Sequence, residues 1–392
     1  MSKRPTYEID IKGDIDRFDE RDMLFARQDL IRSFGVDSEQ YKKYFSKHPD
    51  AEKFHTKLSK KQPLGGLNPS DAPMFRSQFK LIDMLGAESI VDGESAKEKV
   101  NFTLERARQK IKQTARTYGA DLVGVGPLRQ EWIYSHVGST GGDQPGYKQW
   151  GTPIDLSEHS SAIAMGFHME IDLLRSAPHF PTLLASAQAY EKSAWTAVRL
   201  AEYIRQLGYS ARAHHFSNYQ VLVVPVAVDC GLGELSRAGY LLTKEYGLGV
   251  RISVVTTDMQ LAHDQPVDIG VQSFCEQCLI CADECPSGAI PFGEKTIHNG
   301  LLKWKLDEKK CYSYWHVNGT DCGICMAVCP WTKPHTLFHR LNAGIASVKG
   351  PHQRLMALAE RAVYGRYKSA PMPDYIDISE EDKKINKKVS GD

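Results

Sequence analysis

Val100, Leu104, Ala107, Ile111 and Ala115 fall at helical spacing, the i, i+3, i+4 rhythm of an amphipathic helix. Ser95-Ala96-Lys97-Glu98 reads as a capping box, so the pattern predicts a helix that begins there and ends before Gly119. Four short β-branched runs, Asp121 to Val125, Ala162 to Phe167, Val221 to Val228 and Arg251 to Thr256, have the length of buried strands and predict a central sheet. Between the second and third, Ala194, Val198, Ala201, Ile204 and Leu207 mark another helix, with Gly208 placed to terminate it. Alternating helices and strands indicate an α/β or α+β core.

Outside this stretch the pattern weakens. The first ~90 residues are polar and irregular, and the basic run around Lys57, Lys60 and Lys61 reads as a solvated face. From about Asp268 the chain turns to cysteine, glycine and proline, and after about Pro371 it is charged and nearly free of apolar residues. The expected divisions are 1–95, an N-terminal extension wrapping the core; 96–267, the core itself; 268–345, a cysteine module; and 346–392, a tail whose end is expected to be disordered.

Charge adds little. Lys and Arg total 49 against 48 Asp and Glu, so the basic footprint of a nucleic-acid binder is missing. The partner expected is a small molecule or a protein. The longest apolar stretch, Val221 to Val228, is interrupted by Pro225 and falls well short of the ~20 residues of a spanning helix. The opening residues show no apolar h-region, which predicts a soluble, cytoplasmic chain as given.

The cysteines change the picture. Of nine, Cys230 stands alone and eight lie between positions 275 and 329, a clustering that points to metal rather than to a disulfide scaffold. Cys275-x2-Cys278-x2-Cys281-x3-Cys285-Pro286 reproduces the bacterial ferredoxin run, in which three close thiolates hold one cubane and the fourth reaches another. Cys311 and Cys322-x2-Cys325-x3-Cys329-Pro330 supply the second half. Eight thiolates suit two [4Fe-4S] clusters; crossed wiring assigns Cys275, Cys278, Cys281 and Cys329 to one and Cys285, Cys311, Cys322 and Cys325 to the other. The alternative is two structural zinc sites, which also use paired C-x2-C units. Haem attachment is excluded, because no His follows Cys281 or Cys325.

Several passages resemble the corrinoid-dependent reductive dehalogenases, and the resemblance runs from about Tyr7 to about Tyr367. They are Tyr7-Glu8-Ile9-Asp10 with Arg17 to Arg21, Leu200 to Tyr209, Gly231-Leu232-Gly233-Glu234, Thr257-Asp258, Cys311-Tyr312-Ser313-Tyr314-Trp315 and Asp321 through Trp331. The resemblance implies a nitroreductase-like corrinoid-binding core over 96–267, followed by the ferredoxin-like two-cluster module. It implies a base-off cobalamin or related corrinoid, with Gly231, Leu232, Gly233, Thr257 and Asp258 as contacts. The activity implied is reductive removal of halide from a small organohalide. Tyr190, at the start of the helix leading into Leu200 to Tyr209, matches the family's proton donor, and Arg251 matches the arginine that polarises it. Asn218 matches a further polar group near the halogen, with His214 and His215 competing. Each has a plain alternative as a packing or ion-pairing residue. Trp132, Trp195, Trp304 and Trp315 are candidates for an aromatic substrate channel or for core. Cys230 is most simply read as packing.

The resemblance also implies an external electron donor, which is reduced ferredoxin, flavodoxin or a membrane donor, together with a membrane anchor protein. Where an export signal has been removed, the outer face of the cytoplasmic membrane is implied. Two rival readings stand: an epoxyqueuosine-reductase-like corrinoid enzyme, and a non-catalytic iron-sulfur electron carrier or corrinoid-trafficking protein.

Overall fold

Three of the four β-branched runs are strands of one antiparallel sheet in the computed structural model, which describes residues 4–61, 71–139, 146–334 and 336–376. They are β1 (Leu122–Pro127), β2 (Ser161–His168) and β6 (Val250–Thr257); β3 (Ala211–His214), which no β-branched run announces, completes the order β1-β2-β6-β3. The pairs β4 (Glu234–Leu235) with β5 (Leu241–Leu242), and β7 (Thr296–His298) with β8 (Leu301–Lys303), form two small hairpins. Both faces of the main sheet are covered. Ile163, Met165 and Phe167 of β2 enter one apolar cluster, and Ala162 and Ala164 enter the other, which is why the strands read as continuous apolar runs.

The long helix Phe180–Gln206 covers the first face and contacts β2, β3 and β6. It is longer than the sequence pattern indicated, so Tyr190 lies well inside it rather than at its start. Val221 to Val228 is a correction of another kind: Val223–Asp229 is a helix on the second face. Pro225 falls in its first turn, where a missing N–H has no helical partner to lose. A short apolar run cannot by itself distinguish a buried strand from a buried helix.

The helix expected to begin at Ser95 begins instead at Leu104, with the Thr103 hydroxyl accepting from the Arg106 N–H. The preceding segment is drawn elsewhere: the Ala96 and Val100 amides bond the carbonyls of Arg205 and Leu207, satisfying the exposed end of the long helix. The first 90 residues are also more ordered than their pattern suggested. Helices Leu24–Phe34, Glu39–Phe45, Pro49–Leu58, Asp71–Leu85 and Glu88–Val91 lie there, and part of them buries a small aromatic cluster of Tyr41, Tyr44 and Phe45. Tyr7 anchors this region to the core by donating to Asp229, which also accepts from Trp132 Nε1 at 2.8 Å. The tail expected to be disordered falls at residues 377–392, outside the described residues.

The cysteine module has no core of its own. Phe274, Ile324, Met326, Val328 and Trp331 share one apolar cluster with Ala185, Ala189 and Val255. Three contacts fix it in place. Arg237 donates to the Cys275 carbonyl at 2.9 Å, and Glu234 accepts from the Ile269 and Val271 amides. Gly247 (φ +56°) lies against Trp331 and Thr332 so closely that a Cβ there would fall 2.5 Å from their backbone atoms. Among the described residues no helix is long and apolar enough to cross a membrane.

Glu20 fastens the N-terminal region at a second point. Its buried carboxylate accepts from the Gly138 amide at 2.7 Å and from the Ser139 amide and hydroxyl at 3.2 and 2.7 Å. Burial nevertheless pushes the carboxyl up to about 7, above the ordinary glutamate value. The folded state therefore holds this proton more tightly than the unfolded chain, and the group's contribution to stability is lost as pH rises from the ordinary value through about 7. Glu20→Gln removes that slope: between about pH 5 and about pH 8 the variant should lose roughly 2.5 kcal/mol less stability than the parent. Melting curves at the two pH values decide, and equal losses in both proteins would show that Glu20 does not titrate with folding.

Candidate functional site

Alternation along β6 sends Ile252 and Val254 to one face of the sheet and Val255 to the other. Arg251 shares the first face with Val255 and meets the long helix. There its guanidinium carbon lies 4.8 Å from the Tyr190 ring centroid, a cation–π approach. Its Nη2 donates to Ser186 Oγ at 2.6 Å, and Ser186 Oγ donates to Asp321 Oδ2 at 2.9 Å. Ser186 and Tyr190 are four residues apart on one helix, so both face the same way. Asp321 directly precedes Cys322.

Two opposed effects act on this pair. Burial works against the charge of Arg251, but Tyr190, Asp321, Tyr240 and Tyr219 together hold it above its ordinary value. Burial pushes the Asp321 carboxyl up, while Arg251 and the Ser186 hydrogen bond pull it down. Among the described residues, Arg251 Nε and Asp321 Oδ1 are buried without hydrogen-bond partners, a condition that calls for explanation.

Both residues line a cavity of about 300 Å³. Ser186, Tyr190 and Arg251 line it together with the aromatic side chains of Phe75, Phe79 and Phe216 and with Cys285, Cys311, Cys322 and Cys325. Four thiols thus share a cavity with a tyrosine and a fixed cation. Tyr240 and Trp315 also line it. Ser186, Asp321 and Tyr240 were not singled out in the sequence, where nothing but the position of Asp321 beside Cys322 marks them.

The thiols that act on one another electrostatically fall into two groups. Cys275, Cys278, Cys281 and Cys329 form one, and Cys285, Cys311, Cys322 and Cys325 form the other. Cys325 interacts across the gap with Cys281 and Cys329. Only the second group lines the cavity, so it is the inner quartet and the first is the outer.

The remaining sequence candidates lie elsewhere. Asn218 is buried, but its amide donates to the Gly86 carbonyl and to Glu88 and accepts from Arg212; it belongs to a structural network and does not line the cavity. His214 bonds Thr256 and His215 bonds the Leu85 carbonyl; Phe216 is the side chain of that turn that reaches the cavity. Gly231, Leu232, Gly233, Thr257 and Asp258 also sit away from it. A Cβ on Gly231 or Gly233 would collide with the Gln265 or Leu242 carbonyl, so these glycines permit chain crossings. Leu232 packs in the cluster on the opposite face of the sheet. The Thr257 hydroxyl donates to the Ser210 carbonyl, and Asp258 pairs with Lys99, about 20 Å along β6 from Arg251 at the usual strand rise. Trp132 and Trp304 are buried outside the cavity, Trp195 is exposed, and the Cys230 thiol is buried against the Ala162 carbonyl.

Comparison with known proteins bears on the whole arrangement. The family model of the 4Fe-4S dicluster domain matches residues 274–333. The tetrachloroethene reductive dehalogenase of Sulfurospirillum multivorans is 36% identical over 256 residues, which are 58% of this chain and 51% of that protein. A solved catabolic reductive dehalogenase, NpRdhA, superposes with a TM-score of 0.71 at 26% identity over 94% of this chain and 49% of its own; it has also been solved with 3-bromo-4-hydroxybenzoic acid. A reductive dehalogenase structure described for B12-dependent dehalogenation matches with the same TM-score and identity, over 94% of this chain and 48% of its own. This chain spans about half the length of these relatives. Over the residues compared, the chain is similar to the reductive dehalogenases, and its residues 274–333 match a 4Fe-4S dicluster domain.

Proposed function

We propose that this chain removes halide from a small organohalide, taking up two electrons and one proton and releasing the hydrocarbon product and a halide ion. The observation that carries the reading is the single cavity that the Tyr190–Arg251 pair lines together with the four inner thiols. Two [4Fe-4S] clusters fit the two quartets: each has four thiols, and Cys281, Cys325 and Cys329 bring the groups within electrostatic reach of each other. A corrinoid is what the resemblance implies here, and among the described residues no histidine lines the cavity. The space is smaller than a whole corrinoid, so contacts to the macrocycle are left unassigned. When bound, the clusters would supply electrons one at a time and the corrinoid would supply the reducing power for cleavage of the carbon–halogen bond.

The chain's own residues do the rest. Tyr190 holds its hydroxyl proton in a largely apolar space and gives it to the carbon that loses halide. Arg251 cannot give up its charge, so it stabilises the phenolate that remains. Ser186 and Asp321 hold the guanidinium against the ring. The aromatic flank excludes water and accepts an apolar organohalide. A halogenated aromatic acid of the kind seen with NpRdhA also carries an anion that the Arg251 charge would attract.

The test is anaerobic reconstitution with iron, sulfide and cobalamin, followed by a halide-release screen with reduced viologen. Halide should appear, and Tyr190→Phe should lower its rate on the order of 100-fold or more. Protein that binds both cofactors and releases no halide from any organohalide would instead be an electron carrier. A second measurement concerns Ser186→Ala and Asp321→Asn, which loosen the guanidinium while leaving Tyr190 and Arg251 themselves in place. kcat should fall about ten-fold with KM nearly unchanged, because positioning is felt chiefly in the transition state. A rise in KM alone would mean that these residues serve binding.

A further inference from the structure

The outer quartet does not line the cavity, so its electrons must come from another side. On that side lies a cleft of about 550 Å³ with Ile280, Ala327 and Val328 among its lining. Ile280 is the chain neighbour of Cys281, and Val328 of Cys329, so the cleft wall is backbone that also bears outer thiols. Arg175, Lys333, Arg361, Arg366 and Lys368 line the same cleft, with Glu360 as its one carboxylate.

Pairing removes only part of this charge. Lys333 pairs with Glu360, and Arg361 with Asp283 and Glu284. Arg366 is largely exposed and reaches Asp283 only at 3.8 Å. Arg175 and Lys368 are exposed and have no ion pair among the described residues. Five cations against three carboxylates leave the cleft positive, in a chain whose net charge is only +1. Tyr364 lines the cleft and Val363 is exposed beside it. A net positive surface with exposed apolar side chains alongside suits a transient protein interface whose charges steer the encounter.

We propose that this cleft is the docking surface of an acidic one-electron carrier protein of the ferredoxin or flavodoxin kind, which reduces the outer cluster. The proposal rests on the reading of the two quartets as clusters, and it adds where the electrons arrive and which charge their carrier bears. The path runs from the cleft wall to Cys281 and Cys329, across to Cys325, and from there to the cavity. Each electron passes from the reduced carrier to an oxidised cluster, with no bond made or broken.

The experiment follows the bleaching of cluster absorbance in reconstituted protein, a readout that needs no halide chemistry. Reduced acidic flavodoxin is one donor and a small reduced viologen the other. The triple variant Arg175→Glu, Arg366→Glu, Lys368→Glu should be reduced about 10- to 100-fold more slowly by flavodoxin, in the range of electrostatic steering. Added salt should slow the parent and speed the variant, whose reversed charge repels the acidic carrier, while viologen reduces the variant no more slowly than the parent. An unchanged flavodoxin rate would overturn the proposal, and so would equal slowing with both donors. If the variant keeps its flavodoxin rate but loses binding to anionic lipid vesicles, the cleft is a lipid contact and the proposal likewise falls. Because bleaching is read before any substrate is added, a failure of halide release leaves this result standing.

Discussion

A guanidinium cannot shed its proton, so a buried one obliges its surroundings to supply counter-charge and hydrogen bonds. Arg251 stands under that obligation. β6 delivers it to the inner face of the sheet, where the long helix offers Ser186 and Tyr190 and the cysteine module offers Asp321. Three separate parts of the chain thereby converge on one charge. The hydrogen bond between Ser186 and Asp321 spans 135 positions, and it ties the loop bearing Cys322 to the helix bearing the tyrosine. Any displacement of the module relative to the sheet would leave a buried cation without its partner, which is costly.

That constraint explains why the cysteine module shares a core with the sheet instead of forming an appended bead. Phe274, Met326 and Trp331 pack in the same apolar cluster as residues of the sheet and the long helix, and Gly247 allows the β5–β6 connection to touch Trp331 backbone to backbone. Burial raises most of the eight thiols, so without metal they rest in the protonated form. Cluster binding must then expel those protons, and part of its free energy goes into assembling the module on the core.

The sequence made some of this legible and hid the rest for identifiable reasons. Cysteine spacing was readable because a cubane demands a fixed local run. β1, β2 and β6 were readable because burial on both faces leaves long β-branched stretches. Val221 to Val228 misled because such a stretch suits a buried helix equally well, with Pro225 harmless in the first turn. The helices of the first 90 residues bury few apolar side chains each, so their periodicity was faint. Asn218 and the Gly231–Gly233 segment lie outside the cavity lined by Tyr190 and Arg251, because a match to a motif does not by itself say which surface a residue faces. Ser186 and Asp321 were invisible because their significance lies in a long-range contact, and neither residue type is unusual where it stands.

The two quartets differ in what they face, and that difference gives the molecule its direction. The inner thiols share a largely apolar cavity with Tyr190 and Arg251, which the proposed function reads as proton donor and counter-charge. The outer thiols lie behind a positively charged cleft. On that reading a charged carrier would approach one end without bringing water to the other, because the packed module stands between them. Electron supply and proton supply would then be separated in space and meet only at the cavity. In a strongly reducing site this separation matters, since protons that reached the electrons ahead of substrate would consume them unproductively.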